Sequence, residues 1–278
     1  MPINNITGMF EIRKSVFTLL FLLTGIPALA QDKGTWNNKQ CAVVLTYDDA
    51  LDIDLDNVIP ALDSLKLKGT FYLIGSSPVI NKRLGEWRTA AMHGHELGNH
   101  SLFHPCSGGP TRSWITPEND LSKYTVARAV NEIRQNNTLL KAIDGKNLRT
   151  FAFPCGDLTI GGENFYTALK PDFAGARGVS PGLQTATDVD LDNIKCYAIN
   201  GQTADYMINL VKQAQQSHTL LVFLFHGVGG GHNLNVSLAD HSKLIHYLKA
   251  NEKEIWIAPM VDVATRISAL QASKGSAK

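Results

Sequence analysis

The sequence predicts an α/β protein built around a parallel sheet, on two observations. Short apolar runs rich in β-branched and aromatic residues alternate with stretches of helical periodicity. Acids, histidines and glycine turns collect directly after several of those runs, and parallel α/β folds keep their chemistry just beyond the C-terminal ends of strands. The 278 residues are 44% hydrophobic and 18% charged, the make-up of an ordinary globular protein. With 26 Lys+Arg against 25 Asp+Glu and a net charge of +1, the chain lacks the bulk positive charge of an electrostatic nucleic-acid binder, which excludes that class. No Pro/Ser linker, long charge run or internal repeat divides it, so one domain is the simpler organisation.

Residues 1–30 read as a secretory leader. Arg13 and Lys14 precede the apolar run Ser15–Ala30, which ends in Ala28-Leu29-Ala30. That run holds Gly25 and Pro27 and falls short of the roughly 20 apolar residues that cross a bilayer. The expectation is therefore cleavage after Ala30, a mature domain over 31–278, a secreted or periplasmic location and no membrane anchor after cleavage. All four cysteines, Cys41, Cys106, Cys155 and Cys196, lie in the mature part, where disulfides are permitted. They allow three full pairings among which the sequence does not choose. No CxxC occurs, so buried thiols or one structural bridge is the expected use.

In chain order, Ala42–Leu45 reads as a buried strand, Val58, Leu62 and Leu65 recur at helical spacing, and Gly69–Ile74 returns as a strand, making a βαβ unit. A long helix is expected from about Glu118 to Ile143, with Leu121, Tyr124, Ala127, Val130 and Ile133 on one stripe and Pro117-Glu118 at its first turn. Then come an apolar run at 150–153, a helix near 163–169, a strand at 173–176 and a helix near 204–216. Leu220–Phe225 is the strongest strand signal of all. A helix near 238–250, a strand at 255–258 and a helix near 261–270 end the chain. Roughly seven strands with intervening helices predict a parallel α/β barrel or an open α/β sheet.

The candidate site residues succeed the apolar runs. Asp48 and Asp49 leave the first strand, His226 leaves the strongest one, and His100 and His104 stand four apart between them. Two imidazoles at that spacing converge on one ion in a compact turn, and a carboxylate would complete a His-His-Asp set with positions open to water or substrate. Adjacent acids at a bending strand end point differently, so one can bind metal while the other handles protons. Competing motifs fail. HExxH and GxSxG are absent, and Gly227–Gly231 lacks the Lys-Ser/Thr of a phosphate loop and reads as a flexible turn. Asp52, Asp54 and Asp56 mimic half an EF-hand loop but have Asn57 where its Gly belongs, so they read as a solvated helix start.

Thr46-Tyr47-Asp48-Asp49-Ala50 resembles the T-F-D-D-G motif of the NodB-like polysaccharide deacetylases, carbohydrate esterase family 4. His100-Ser101-Leu102-Phe103-His104 matches that family's H-S/T-x-x-H. Phe153-Pro154-Cys155-Gly156 is similar to the end of its R-x-P-Y-G, and Leu224-Phe225-His226 matches its L-x-H. The four occur in the family's order. The resemblance implies a distorted (β/α) barrel of about seven parallel strands and a metal-dependent deacetylase of acetylated carbohydrate. By position it implies that Asp49, His100 and His104 hold a divalent metal, zinc in most of the family, with Asp48 as general base and His226 as general acid. It also implies a substrate and oxyanion role for Pro154, Cys155 and Gly156, through the backbone N–H of Cys155.

The sequence departs from the family in three places. Ala152 stands where an Arg orients the catalytic Asp. The Asp that tunes the acidic His has no clear counterpart, although Asp188, Asp190 and Asp192 lie in the right region. Tyr47 and Ala50 replace Phe and Gly. Of the tryptophans, Trp87 and Trp114 are candidate sugar platforms, Trp114 the better, while Trp256 reads as core. His93 and His95 read as structural or exposed, and His232 as a surface-turn residue, with reach to substrate from the glycine loop as the alternative. Three activities fit: an N-deacetylase of amino-sugar polymers, an O-acetyl esterase on xylan-type polymers, and a carbohydrate-binding barrel without turnover.

Overall fold

The computed structural model describes residues 1–2 and 34–275. By internal contacts the chain divides into Met1–Asp32 and Lys33–Lys278, and every strand and helix among the described residues belongs to the second unit. All but the first two residues of the expected leader lie outside the described residues. Among the described residues no helix is long and apolar enough to cross a membrane.

Among the described residues, eight parallel strands form one curled sheet: β1 (Cys41–Asp48), β2 (Thr70–Leu73), β3 (Glu96–Asn99), β4 (Phe151–Ala152), β5 (Ala176–Arg177), β6 (Tyr197–Ala198), β7 (Leu220–Phe225) and β8 (Ile255–Ile257). Seven follow the path β5-β4-β3-β2-β1-β7-β6, while β8 lies beside the first half of β1, pairing Cys41 with Ile255. The central pair is β1 with β7, in register from Ala42↔Leu220 to Tyr47↔Phe225. The segment leading into β6 reaches both edges. Ile194 bridges Arg177 of β5, and three residues later Tyr197 pairs with Phe223 of β7. The result is a distorted (β/α) barrel.

The α-helices described around the sheet are α1 (Ile59–Ser64), α2 (Pro78–Lys82), α3 (Leu84–Met92), α4 (Val126–Asp144), α5 (Ala204–Ser217), α6 (Leu238–Ala250) and α7 (Met260–Gly275). Because successive strand residues point to opposite faces, β1 divides its side chains between two cores. Val43, Leu45 and Tyr47 pack with residues of α1, α3, α5 and α6. Ala42 and Val44 face Val222, Ile194, Met260, Val263 and Ile267, so α7 plugs the other face. Thr46 and Asp48 share the parity of Ala42 and Val44, and the plugged interior therefore leads up to Asp48.

Helices α5 and α6 match the expected ranges because each starts at a side-chain cap. Thr203 accepts from Tyr206 N, and Ser237 accepts from Asp240 N. The expected 118–143 helix is shorter. It begins at Val126, capped by Thr125, and Pro117 and Glu118 lie in a loop. Leu121 and Tyr124 are buried beside a 3₁₀ turn, Leu121–Lys123, and so imitate the helical stripe. The expected helix at 163–169 is a hairpin strand, Glu163–Asn164, followed by a 3₁₀ turn, Phe165–Ala168. The expected strand at 173–176 pairs at Ala176–Arg177, since a 3₁₀ turn at Lys170–Asp172 delivers Phe173 to the core.

Candidate active site

The strand exits gather the predicted residues at one end of the barrel. Asp48 closes β1, His100 follows β3, Cys155 follows β4, and His226 follows β7. The backbone there is strained. Asp49, Ala50, Ser101, His104 and Cys155 all adopt positive φ, a conformation that costs non-glycine residues on the order of 1–3 kcal/mol each and clusters at functional sites. Two polar devices hold these turns. The buried Asn136 of α4 donates through Nδ2 to Leu73 O, Asn99 Oδ1 and Ser101 O at 2.9–3.0 Å. Ser101 Oγ accepts from His104 N at 2.9 Å. Sequence reading missed Asn136, whose signal was an amide in the apolar stripe between Ile133 and Leu140.

Asp49, His100 and His104 converge, with their ligating atoms within 4.8 Å of one another. Asp49 Oδ1 lies 3.5 Å from His100 Nε2 and 3.6 Å from His104 Nε2. Atoms about 2.0–2.1 Å from a tetrahedral zinc would stand roughly 3.3 Å apart, so the trio fits a divalent ion. His100 Nδ1 donates to Ala152 O at 2.8 Å, which leaves its Nε2 lone pair aimed at the carboxylate. A lone pair and a buried carboxylate oxygen with no hydrogen-bond partner face each other, an arrangement a cation satisfies. Burial works against ionising Asp49, but the adjacent imidazoles of His100, His104 and His226 hold its carboxyl well below the usual range. Burial, reinforced by His100, lowers His104 to about 4, so its imidazole is neutral and available as a ligand at pH 7.

Asp48 is buried, and Arg177 Nη2 donates to its Oδ2 at 2.5 Å. Arg177 is fully buried on β5, in register with Ala152 of β4. The guanidinium absent at Ala152 is thus supplied from the next strand at the same level. It is anchored by Gly178 O at 2.9 Å and lies 5.0 Å from the centre of the Tyr72 ring. Burial opposes its charge, and the charge of Asp48 more than compensates, raising its pKa.

The acidic side of the site is less complete. His226 Nε2 is 3.9 Å from Asp49 Oδ2, and its Nδ1 is buried without a hydrogen-bond partner. None of the three candidate acids reaches it. Asp188 accepts from Thr185, Asp190 from Asp192 N, and Asp192 pairs with Lys170. Burial accordingly lowers the His226 pKa.

Cys155 sits in the 3₁₀ turn Pro154–Gly156 with φ 56° and is bonded to Cys106, two residues after His104. Cys41 and Cys196 are buried free thiols. Arg112 clamps the two loops, donating to Asp157 Oδ2 at 2.5 Å and to Cys155 O at 3.2 Å. A cavity of about 460 Å³ opens over the trio, lined by Asp49, Phe103, His104, Trp114, Thr116 and His232. Trp114 is 62% exposed there, whereas Trp87 is core, edge-on to Phe71.

Two expectations are corrected. His232 is an exposed turn residue, as expected, and its ring also stacks on His226 at 4.8 Å. The glycine turn is pinned rather than flexible, because Gly227 N donates to Leu234 O, Gly229 N to Val236 O and Gly230 N to Asn235 Oδ1. Asp54 is not solvated. It is fully buried, its Oδ2 accepts from Leu51 N at 3.0 Å, and burial with the nearby Asp49 and Asp48 charges pushes its carboxyl well up. His93 and His95 are structural, both bound to Asp63.

With this geometry in place, the class is a parallel barrel carrying an Asp-His-His cluster and an Arg-held acid at its strand exits. Residues 36–164 match the family model of the polysaccharide deacetylases. A 102-residue stretch, 37% of this chain, is 30% identical to the Bacillus subtilis protein YlxY and spans 27% of its length, about a quarter of that relative. Among solved structures, one from Mycobacterium smegmatis designated a polysaccharide deacetylase superposes with a TM-score of 0.60 at 14% identity, covering 84% of this chain and 92% of that one. The Xyl-CE4 domain of a multidomain xylanase from the hindgut metagenome of Trinervitermes trinervoides gives 0.52 at 19% identity, covering 84% and 91%. At these identities the likeness is one of fold.

Proposed function

We propose that the protein is an exported, metal-dependent hydrolase that removes N-acetyl groups from an amino-sugar polysaccharide or oligosaccharide. The observation that carries this reading is the Asp49-His100-His104 cluster beside an Arg177-held Asp48, opening on a cavity. A divalent ion, zinc in this reading, would be held by Asp49, His100 and His104 and would polarise the acetyl carbonyl and its attacking water. Asp48, aimed by the Arg177 guanidinium, takes a proton from that water. The Cys155 N–H donates to the developing oxyanion. His226 gives a proton to the departing nitrogen, and the burial that lowers its pKa makes its imidazolium a readier donor. An amine leaves poorly unless protonated, so the His226 imidazole at the exit side favours the amide over the O-acetyl ester.

Acetate release by the purified protein, stripped of metal and refilled with zinc, tests this on N-acetylglucosamine oligomers and acetylated xylan, with Asp48→Asn as control. Zinc-dependent release from the oligomers, abolished by the substitution, is expected. Release from xylan alone would replace the amide with the ester, and zinc binding without release from either would leave a binding barrel.

A further inference from the structure

His232 has no role in the reaction just described, yet the fold spends several contacts on placing it. The parallel bridge between Gly227–Val228 and Asn235–Val236 closes the loop at its base. A side chain at Gly227 would strike Gly230 O at 2.2 Å, and one at Gly231 would meet Ile53 at 2.9 Å, so the tight path needs glycine. Leu234 N donates to His232 Nδ1 at 3.0 Å. That bond makes Nδ1 the acceptor and puts the ring hydrogen on Nε2 in the neutral imidazole. The Nε2–H faces the cavity 3.9 Å from Asp49 Oδ2, beyond hydrogen-bond length, and among the described residues it meets no acceptor within range. A nitrogen that carries its hydrogen is not a metal ligand, so His232 is not a fourth donor to the ion. What the loop presents is an N–H aimed into the cavity, level with His226 and across from the exposed Trp114.

We propose that His232 is a substrate-contacting hydrogen-bond donor, its Nε2–H gripping a hydroxyl oxygen of the acetylated sugar whose ring lies in the cavity lined by Trp114. The proposal rests on the deacetylase reading and adds to it the residue that holds the sugar rather than the acetyl group. Such a contact forms with the bound sugar and persists through the reaction, so it acts on binding and not on the chemical step.

The test compares His232→Phe, which keeps a flat ring over His226 but loses the N–H, with His232→Gln, which restores one. Zinc content, binding of an N-acetylglucosamine oligomer in an Asp48→Asn background, and kcat and KM in the parent background are measured. Expected are one zinc per chain in every variant, Kd and KM raised about 5–10-fold in His232→Phe with kcat within about twofold, and recovery in His232→Gln. Unchanged affinity in His232→Phe, loss of its zinc, or a fall in kcat at constant KM would each overturn the proposal, as would absence of oligomer binding by the Asp48→Asn chain with His232 intact. Oligomer binding without acetate release by the unsubstituted chain would instead overturn the reaction and leave the binding comparison to decide the role of His232.

Discussion

The two halves of the barrel build their share of the site differently. In the half from β1 to β3, the metal-type cluster comes from two short turns, Asp48–Ala50 and His100–His104, held by Asn136 and Ser101 close at hand. In the half from β4 to β7, groups are supplied through space. Arg177 on β5 serves the acid that Ala152 on β4 leaves unserved, His226 has no carboxylate on its Nδ1, and a second imidazole stacks on it from a separate loop. The family match, ending at residue 164, covers the first half and little of the second. A cluster that must meet one ion within a few tenths of an ångström tolerates little rearrangement, whereas an ion pair can be rebuilt from any strand that reaches the same point.

The comparison breaks most severely in the first half. His100→Ala should abolish stoichiometric zinc binding and lower acetate release by about 10³ or more, read by metal analysis and turnover. In the second half, Arg177→Ala strands a buried carboxylate, so a loss of about 3–5 kcal/mol in unfolding free energy and a roughly 100-fold drop in turnover are expected. Adding Ala152→Arg to that variant should recover part of both, and no recovery would show that the neighbouring strand does not offer an equivalent position. Removing the Cys106–Cys155 bridge, which spans 49 residues, should cost about 4 kcal/mol in the chain-entropy model, measured by denaturant unfolding of the Cys106→Ser/Cys155→Ser variant.

A pH comparison isolates the interior below the cluster. Burial lowers His241 to about 4, and its Nε2 is 2.8 Å from the Tyr47 hydroxyl. Its folded pKa lies below its unfolded value near 6.5, so its contribution is full above pH 6.5 and is lost as pH falls from 6.5 to 4. On the order of 3 kcal/mol is at stake across that window. His241→Gln keeps an acceptor for Tyr47 and should flatten the fall in unfolding free energy. The smallest expected effect is Ala50→Gly, which relaxes a φ of 55° and should raise stability by up to about 1 kcal/mol at unchanged zinc content.

What could be read from the residues alone falls along the same division. Asp48, Asp49, His100 and His104 fall in compact motifs, and α5 and α6 announce themselves by cap and stripe. Arg177 was not legible because its partner is 129 residues away and its equivalence to Ala152 exists only in the β4–β5 register. Asp54 was misread for a related reason: its burial is set by what the rest of the chain folds over it. The start of α4 was missed because a 3₁₀ turn can bury Leu121 as well as a helix can.

The bond between Cys106 and Cys155 also changes what a protease can do to this protein. Everything from Ser107 to Pro154, including the exposed stretch around Trp114, lies inside a covalent ring. A single cut in that stretch opens the ring without releasing either piece, and the backbone on both sides stays tied next to His104. A nicked molecule should run as one species until it is reduced and as two afterwards.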